Sequence, residues 1–440
     1  MEARPPVLAI VVVALCVVSL CGGVAHGTAV TYNVKNYGAK GNGATDDTKA
    51  LMAAWKVACA AAGAVTLQVP AGVYYMGPAQ FHGPCKASSL TFLLQASKHA
   101  PCSCVGGVRR ARARACLRLA HCTYDGDSFC VRAWVQGTLK AATDLSRFGN
   151  DWIEFGWVKG LIVAGQNGAA IDGQGAASWP FNKCPIRKDC KVLPTSVLFV
   201  NNENTVVKDI SSVNSKFFHF ALLQNKNTQM INLRINAPGT SPNTDGVHIE
   251  RCSGVTIVDT KISTGDDCIS IGQGNDNIDI QRVTCGPGHG MSVGSLGRYV
   301  GEGDVTRVHV KDMTFEGTMN GVRIKTWENS PTKSLAAHMV FESLVMKDVQ
   351  NPVIIDQKYC PYYNCEHKYV SGVTIKNVTF KNIKGTSSLP VAVLLRCGMP
   401  CQGVVLQDLD LKFKGAGTTS SKCENAKAKY VGYMYPKPCV

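Results

Sequence analysis

The segment NTDGVHIERCSGVTIVDTKISTGDDCISIG (residues 243–272) holds one short pattern twice. Asp245-Gly-Val-His-Ile is an acidic residue leading alternating apolar positions, and Asp267-Cys-Ile-Ser-Ile repeats it 22 residues later. Between them lies a second alternating run, Val255–Ile262 (VTIVDTKI). Apolar spacing of two marks strands. The lead pattern continues at His289-Gly-Met-Ser-Val, Asn320-Gly-Val-Arg-Ile and Asn351-Pro-Val-Ile-Ile. The five leading residues are separated by 22, 22, 31 and 31 positions. Strand patterns recurring at this interval, with little helical periodicity, are how a coil-on-coil solenoid reads. The expected fold is all-β, a right-handed parallel β-helix with coils about 4.8 Å apart. The longer intervals are loops thrown out from a coil, Gly297–Asp304 being one. A sandwich or propeller fits worse, because the intervals are uneven and hairpin turn dipeptides are lacking. One helix is expected, over Asp46–Ala62, capping the N-terminal end.

Outward from this repeat, composition narrows the class. The chain has 440 residues, 45% of them hydrophobic and 18% charged. That supports a large core and excludes global disorder and charge-laced helical arrays. The net charge of +15 favours a polyanionic partner: nucleic acid, an anionic membrane or an acidic polysaccharide. Residues 1–27 read as a secretory signal, with an apolar run from Val7 to Cys21 behind Arg4 and small residues at Ala25 and Gly27. That run is short for a membrane span. Residues 28–440 are then one secreted domain, and secretion weakens the nucleic-acid reading. The 20 cysteines fit an oxidising compartment. The expected pairs are Cys59/Cys85, Cys184/Cys190, Cys268/Cys285, Cys360/Cys365, Cys397/Cys401 and Cys423/Cys439, with Cys252 left over and buried. No pair has C-x-x-C spacing, so structural zinc is not indicated.

Residues 96–136 read unlike the rest. They hold five cysteines and the cluster VRRARARACLR (residues 108–118), and carry +5 of the net charge. Deleting them joins Leu94-Gln95 to Gly137-Thr138 as one strand and turn. A retained intron translated in frame is expected here; a basic nucleic-acid- or heparin-binding arm is the functional alternative.

The repeat also decides the chemistry. Residues one period apart share a column of a solenoid, so Asp245, Asp267 and His289 are expected on three successive coils, with Asp266 at the rim of the same cleft. Arg323 and Lys325, two apart on a strand, face one side. Three carboxylates crowded together cannot all ionise easily, so one should keep its proton beside ionised partners. Glycoside hydrolysis needs that combination: an acid for the leaving oxygen and a base for water. Asp266 is expected as the acid, with Asp245 and Asp267 holding the water and His289 tuning the acid. A water between columns implies inversion. Arg323 and Lys325 would bind a sugar carboxylate. Asn320 and Asn351 read as a stacking ladder. No metal or cofactor is expected.

Four segments carry a family resemblance: Asn243-Thr244-Asp245-Gly246, Gly265-Asp266-Asp267, Gly288-His289-Gly290 and Arg323-Ile324-Lys325. They resemble, in order, the signature motifs of polygalacturonases, glycoside hydrolase family 28. The longer forms SPNTDGVHI, TGDDCISIG, CGPGHGMSVGSLG and NGVRIKTW are similar to plant members, the pollen exopolygalacturonases of grasses above all. The resemblance covers roughly 30–95 and 137–440; residues 96–136 depart from the pattern. It implies a right-handed β-helix and inverting hydrolysis of α-1,4 links in de-esterified pectin, with the roles just given. It also implies that Tyr359 lines the substrate site, that Asn243 takes part in substrate binding, and that action is from the chain end. The expected setting is extracellular, in the cell wall. Polygalacturonate is the expected partner of a monomer, with no nucleic acid or membrane. Asn377-Val378-Thr379 is a glycosylation sequon. A calcium-dependent pectate lyase, or an inactive wall-binding protein, are the competing readings.

Overall fold

A computed structural model describes residues 29–96, 137–184, 189–362 and 369–439, with Arg187 and the backbone of three short strands between 103 and 131. The expected signal (residues 1–27) and the Cys360/Cys365 pair lie outside, or partly outside, the described residues.

The chain folds as a parallel β-helix, in which thirty-one strands join one sheet and every pairing within it is parallel. Each coil adds a strand to the one before. The face that carries the candidate site runs through Ala79–His82, Asp151–Gly156, Thr195–Val200, Phe220–Leu223, Val247–Glu250, Asp267–Ile271, Gly290–Leu296, Asn320–Trp327 and Asn351–Tyr359. The alternation seen in sequence builds the core directly. Phe81, Phe155, Phe199, Leu222, Ile249, Ile271, Val293, Ile324 and Ile355 are register partners in succession, and all are buried. The phenylalanine rings stack at 5.1 and 5.4 Å between centroids, each burying a large apolar surface.

Corner polar groups are satisfied by ladders. Asn225 accepts from the Asn202 backbone N–H at 2.8 Å, and Asn275 accepts from that of Cys252 at 2.8 Å. Cys252 is buried, as expected, and stands at an asparagine position of this ladder: its sulfur accepts from the Asn225 N–H. Asn320 and Asn351 also stack, at 3.4 Å.

The helix spans Thr48–Ala60, shorter than the expected Asp46–Ala62. The two aspartates are used in the turn before it. Asp47 accepts from the backbone of Lys40 and Gly41, and Asp46 from that of Thr48. Ala61 is already extended. Trp55 caps the first coils by packing on Phe81 and Phe155. Five expected disulfides are present: Cys59–Cys85, Cys184–Cys190, Cys268–Cys285, Cys397–Cys401 and Cys423–Cys439.

The path breaks once. Ala87–Gln95 pairs with Leu161–Gln166, and the next strand of that coil, Gly137–Ala141, pairs with Ala170–Asp172. Gln95 and Gly137 nevertheless touch: a Cβ on Gly137 would lie 2.0 Å from the Gln95 carbonyl oxygen. The intervening residues contribute a separate three-stranded antiparallel sheet (Ser103–Cys104, Cys122–Asp125, Ser128–Val131).

Candidate active site

The acids sit on turns that stack by backbone contact. Asp245 precedes the strand Val247–Glu250, and Asp266 precedes Asp267–Ile271. The buried Thr244 hydroxyl donates to Ser241 O and accepts from the Gly265 N–H at 3.1 Å, tying the two turns together. A Cβ at Gly265 would stand 2.1 Å from Ser241 O, so only glycine lets these turns meet. Gly288 adopts φ 127°, and a Cβ there would reach Asp266 O at 2.6 Å. The glycines of these segments set the spacing of the acids.

Asp266 is the accessible acid. Its Oδ1 meets His289 Nδ1 at 2.9 Å and accepts from the Asp267 N–H at 2.8 Å. Asn243 Nδ2 donates to its Oδ2 at 3.3 Å, and Asn182 donates to Asn243 Oδ1 at 3.0 Å. The Asp266 side chain is 16% exposed against 2% for Asp267, so Asp266 is the more accessible of the two. Asp267 accepts from Lys325 Nζ at 2.7 Å, Ser292 Oγ at 2.9 Å and Arg323 Nη2 at 3.4 Å. Asp245, also buried, accepts from Ser270 Oγ at 2.6 Å. The Tyr359 ring lies 5.7 Å from the Arg323 guanidinium and 5.3 Å from Lys325 Nζ, with Trp327 against its edge.

These contacts split the carboxylates electrostatically. Burial alone would raise Asp267, but Lys325 and Arg323 outweigh it and hold the group down at about 2. Asp245 goes the other way: burial, then the charges of Asp266 and Asp267, push it well above the usual carboxylate range. Burial works against charging His289, yet its hydrogen bond to Asp266 and the nearby negative charge raise it overall. Burial raises the Tyr359 phenol.

The expected site residues Asp266, Asp267, His289, Arg323, Lys325, Tyr359 and Asn243 are thus joined by one network of contacts; Asp245 feels the charges of Asp266, Asp267 and Lys325 while its side chain is hydrogen-bonded to Ser270. One expectation needs correction. The register slips between Asp267 and Ile269, so Gly290 rather than His289 lies beside Asp267. His289 is carried instead to Asp266. Three residues went unassigned in the sequence: His248, Ser270 and Ser292. They form one register row ending at Arg323. Their signal was present, because the fourth position of the aligned repeats reads His, Ser, Ser, Arg.

Asp266, Asp267 and His289 bring one ligand atom each within 4.8 Å of one another. A metal would have to compete with Lys325 and Arg323 for Asp267, and with Asp266 for His289 Nδ1. The donor set therefore favours protein cations over a metal ion.

The sequence model of a family described as glycosyl hydrolases family 28 matches residues 123–432. An exopolygalacturonase of Platanus acerifolia is 41% identical over 92% of this chain and 96% of its own length. One from Zea mays is 42% identical over 94% and 92%. Among solved structures, an exopolygalacturonase from Thermotoga maritima matches 91% of both chains with TM-score 0.66 and 18% identity. An endo-xylogalacturonan hydrolase from Aspergillus tubingensis matches 92% of this chain and 100% of its own with TM-score 0.70, also at 18% identity. The structural matches speak for the fold alone.

Proposed function

The chain belongs to glycosyl hydrolases family 28, and on that premise we propose that it hydrolyses α-1,4-galacturonosyl links of polygalacturonate, removing sugars from the chain end. The observation that carries this is the split among three adjoining carboxylates. Asp267 is fixed as an anion, Asp245 is pushed toward its acid form, and Asp266 stands partly accessible beside a histidine. Asp266 protonates the leaving oxygen. Asp245 and Asp267 hold and activate the attacking water, with inversion at the sugar. An oxygen of Asp266 and one of Asp267 come within 4.8 Å, closer than the roughly 6.5–9.5 Å of a simple inverting pair, so these two carboxylates do not by themselves make such a pair and Asp245 belongs to the water-holding set. Asp267, its oxygens tied to Lys325 and Arg323, is ill suited to attack a sugar carbon itself. Asp267 and Ser292 engage two of the five N–H donors of Arg323; others, with Lys325 and Tyr359, receive the substrate carboxylate. The exopolygalacturonase names of the relatives support action from the end.

The protein acts outside the cell as a monomer. The N-terminal apolar run and the disulfides support secretion, and among the described residues no helix is long and apolar enough to cross a membrane. Residues 96–136 are a retained insertion rather than a working arm, a reading supported by the contact of Gln95 with Gly137 and by the unbroken pairing on both sides.

Product analysis on polygalacturonate tests the reading. Galacturonate monomer should appear from the first minutes, and the chain lacking 96–136 should be at least as active. A ladder of oligomers would overturn end-wise action. A calcium-requiring, ultraviolet-absorbing product would replace hydrolysis by elimination.

A further inference from the structure

One row of the site-bearing sheet holds His248, Ser270, Ser292 and Arg323 as successive register partners. Each serine supports one buried carboxylate. Ser292 donates to Asp267 and accepts from Arg323 Nε at 3.2 Å. Ser270 donates to Asp245 at 2.6 Å and meets His248 Nδ1 at 2.8 Å. A serine hydroxyl has one proton to give. When Asp245 is ionised that proton belongs to the carboxylate, so His248 Nδ1 must donate to Ser270. His248 therefore stands to Asp245 as Arg323 stands to Asp267, with a titratable ring in place of a permanent cation.

We propose that His248 is a positioning residue for the hydrolysis: through Ser270 it orients the Asp245 carboxylate and, when protonated, keeps it an anion able to take a proton from water. The inference rests on the hydrolase reading and supplies what that reading lacks. Burial and two neighbouring carboxylates oppose ionisation of Asp245, and a base must be ionised to work.

The surroundings of His248 suit this part. On its own coil, Glu250 Oε2 lies 3.6 Å from Nε2, a negative charge facing the second ring nitrogen. Glu250 is held in turn by Arg251 and by Gln273. The coil before contributes the Phe218 ring, stacked at 4.7 Å, and Ala221, neither charged. The coil after contributes Ser270. The His248 side chain is 21% exposed, so bulk protons reach it while Ser270 and Asp245 stay buried. A cationic ring at this position favours Asp245 as an anion through the Ser270 hydroxyl. The arrangement extends the activity of the base toward acid pH.

Two readouts test this and fail separately. The first needs no turnover: follow the His248 ring by NMR against pH. Coupling is reciprocal, so Asp245→Asn should lower the ring's pKa by about half a unit or more, and Ser270→Ala should also lower it. An unmoved ring in both variants would overturn the inference whatever the enzyme hydrolyses. The second is the pH profile of kcat/KM on polygalacturonate. His248→Gln should move the acid limb to higher pH, while His248→Arg should keep it at or below its wild-type position. A uniform loss at every pH in His248→Gln, with no recovery in His248→Arg, would reduce His248 to a packing role. Absence of galacturonate release by the wild type would strike the hydrolase reading and leave the NMR result standing on its own.

Discussion

Asp245 and Asp267 occupy equivalent positions one coil apart, both are buried, and each hangs on a serine of the next coil. They titrate in opposite directions because of what lies beyond the serine. Asp267 meets Lys325 and Arg323 directly; Asp245 meets only the Ser270 hydroxyl and, behind it, an imidazole. Burial is common to both. The difference shows that neighbouring charge, not depth, decides which carboxylate is a fixed anion and which can exchange a proton.

The largest expected effect separates the two by stability. Asp267→Asn strands Lys325 and Arg323 without their counter-ion and should cost roughly 3–5 kcal/mol. At acid pH, Asp245→Asn replaces a protonated carboxyl by a near-isosteric neutral group and should change stability by less than about 1 kcal/mol. Denaturant midpoints measure both; equal losses would break the comparison. Next comes chemistry. Asp266→Asn should lower turnover about 10³-fold, close to 4 kcal/mol of barrier, while binding of polygalacturonate is kept. Near-wild-type turnover would remove Asp266 from the acid role.

Stability against pH sharpens the contrast further. Asp267 is lowered from 3.8 to about 2. Its contribution, roughly 2 kcal/mol, is complete above the ordinary carboxylate range and disappears as pH falls through about 2. Asp245 is raised, so its contribution is complete at acid pH and is lost as pH rises through its folded value. Stability differences between the wild type and each asparagine variant should therefore slope oppositely with pH. The smallest effect is a control. Lys358→Ala removes an exposed pair with Glu424, at 2.9 Å, and should cost less than about 1 kcal/mol, against several for the buried Lys325–Asp267 pair.

Much of this was legible before any coordinates. Period-two alternation and a repeat near 22 residues gave the solenoid, and the repeat placed Asp245 and Asp267 one coil apart. Disulfide partners at short range were also readable, since local loops close with little entropy cost. What escaped were features set by register detail. The slip at Asp267 that delivers His289 to Asp266 is a single-residue irregularity, invisible to a pattern built on equal intervals. The helix starts later than expected because Asp46 and Asp47 accept from local backbone donors instead. Ser270 and Ser292 went unassigned, because only the proximity of carboxylates from the neighbouring coil makes them supports.

The central claim is that coil stacking sets a proton donor, Asp266, against a water held by Asp245 and Asp267. Proton NMR of the first galacturonate released from α-linked polymer tests it most directly. The β-anomer should appear first and mutarotate later to the mixture. Release of the α-anomer would mean retention through a sugar–enzyme bond and would contradict it.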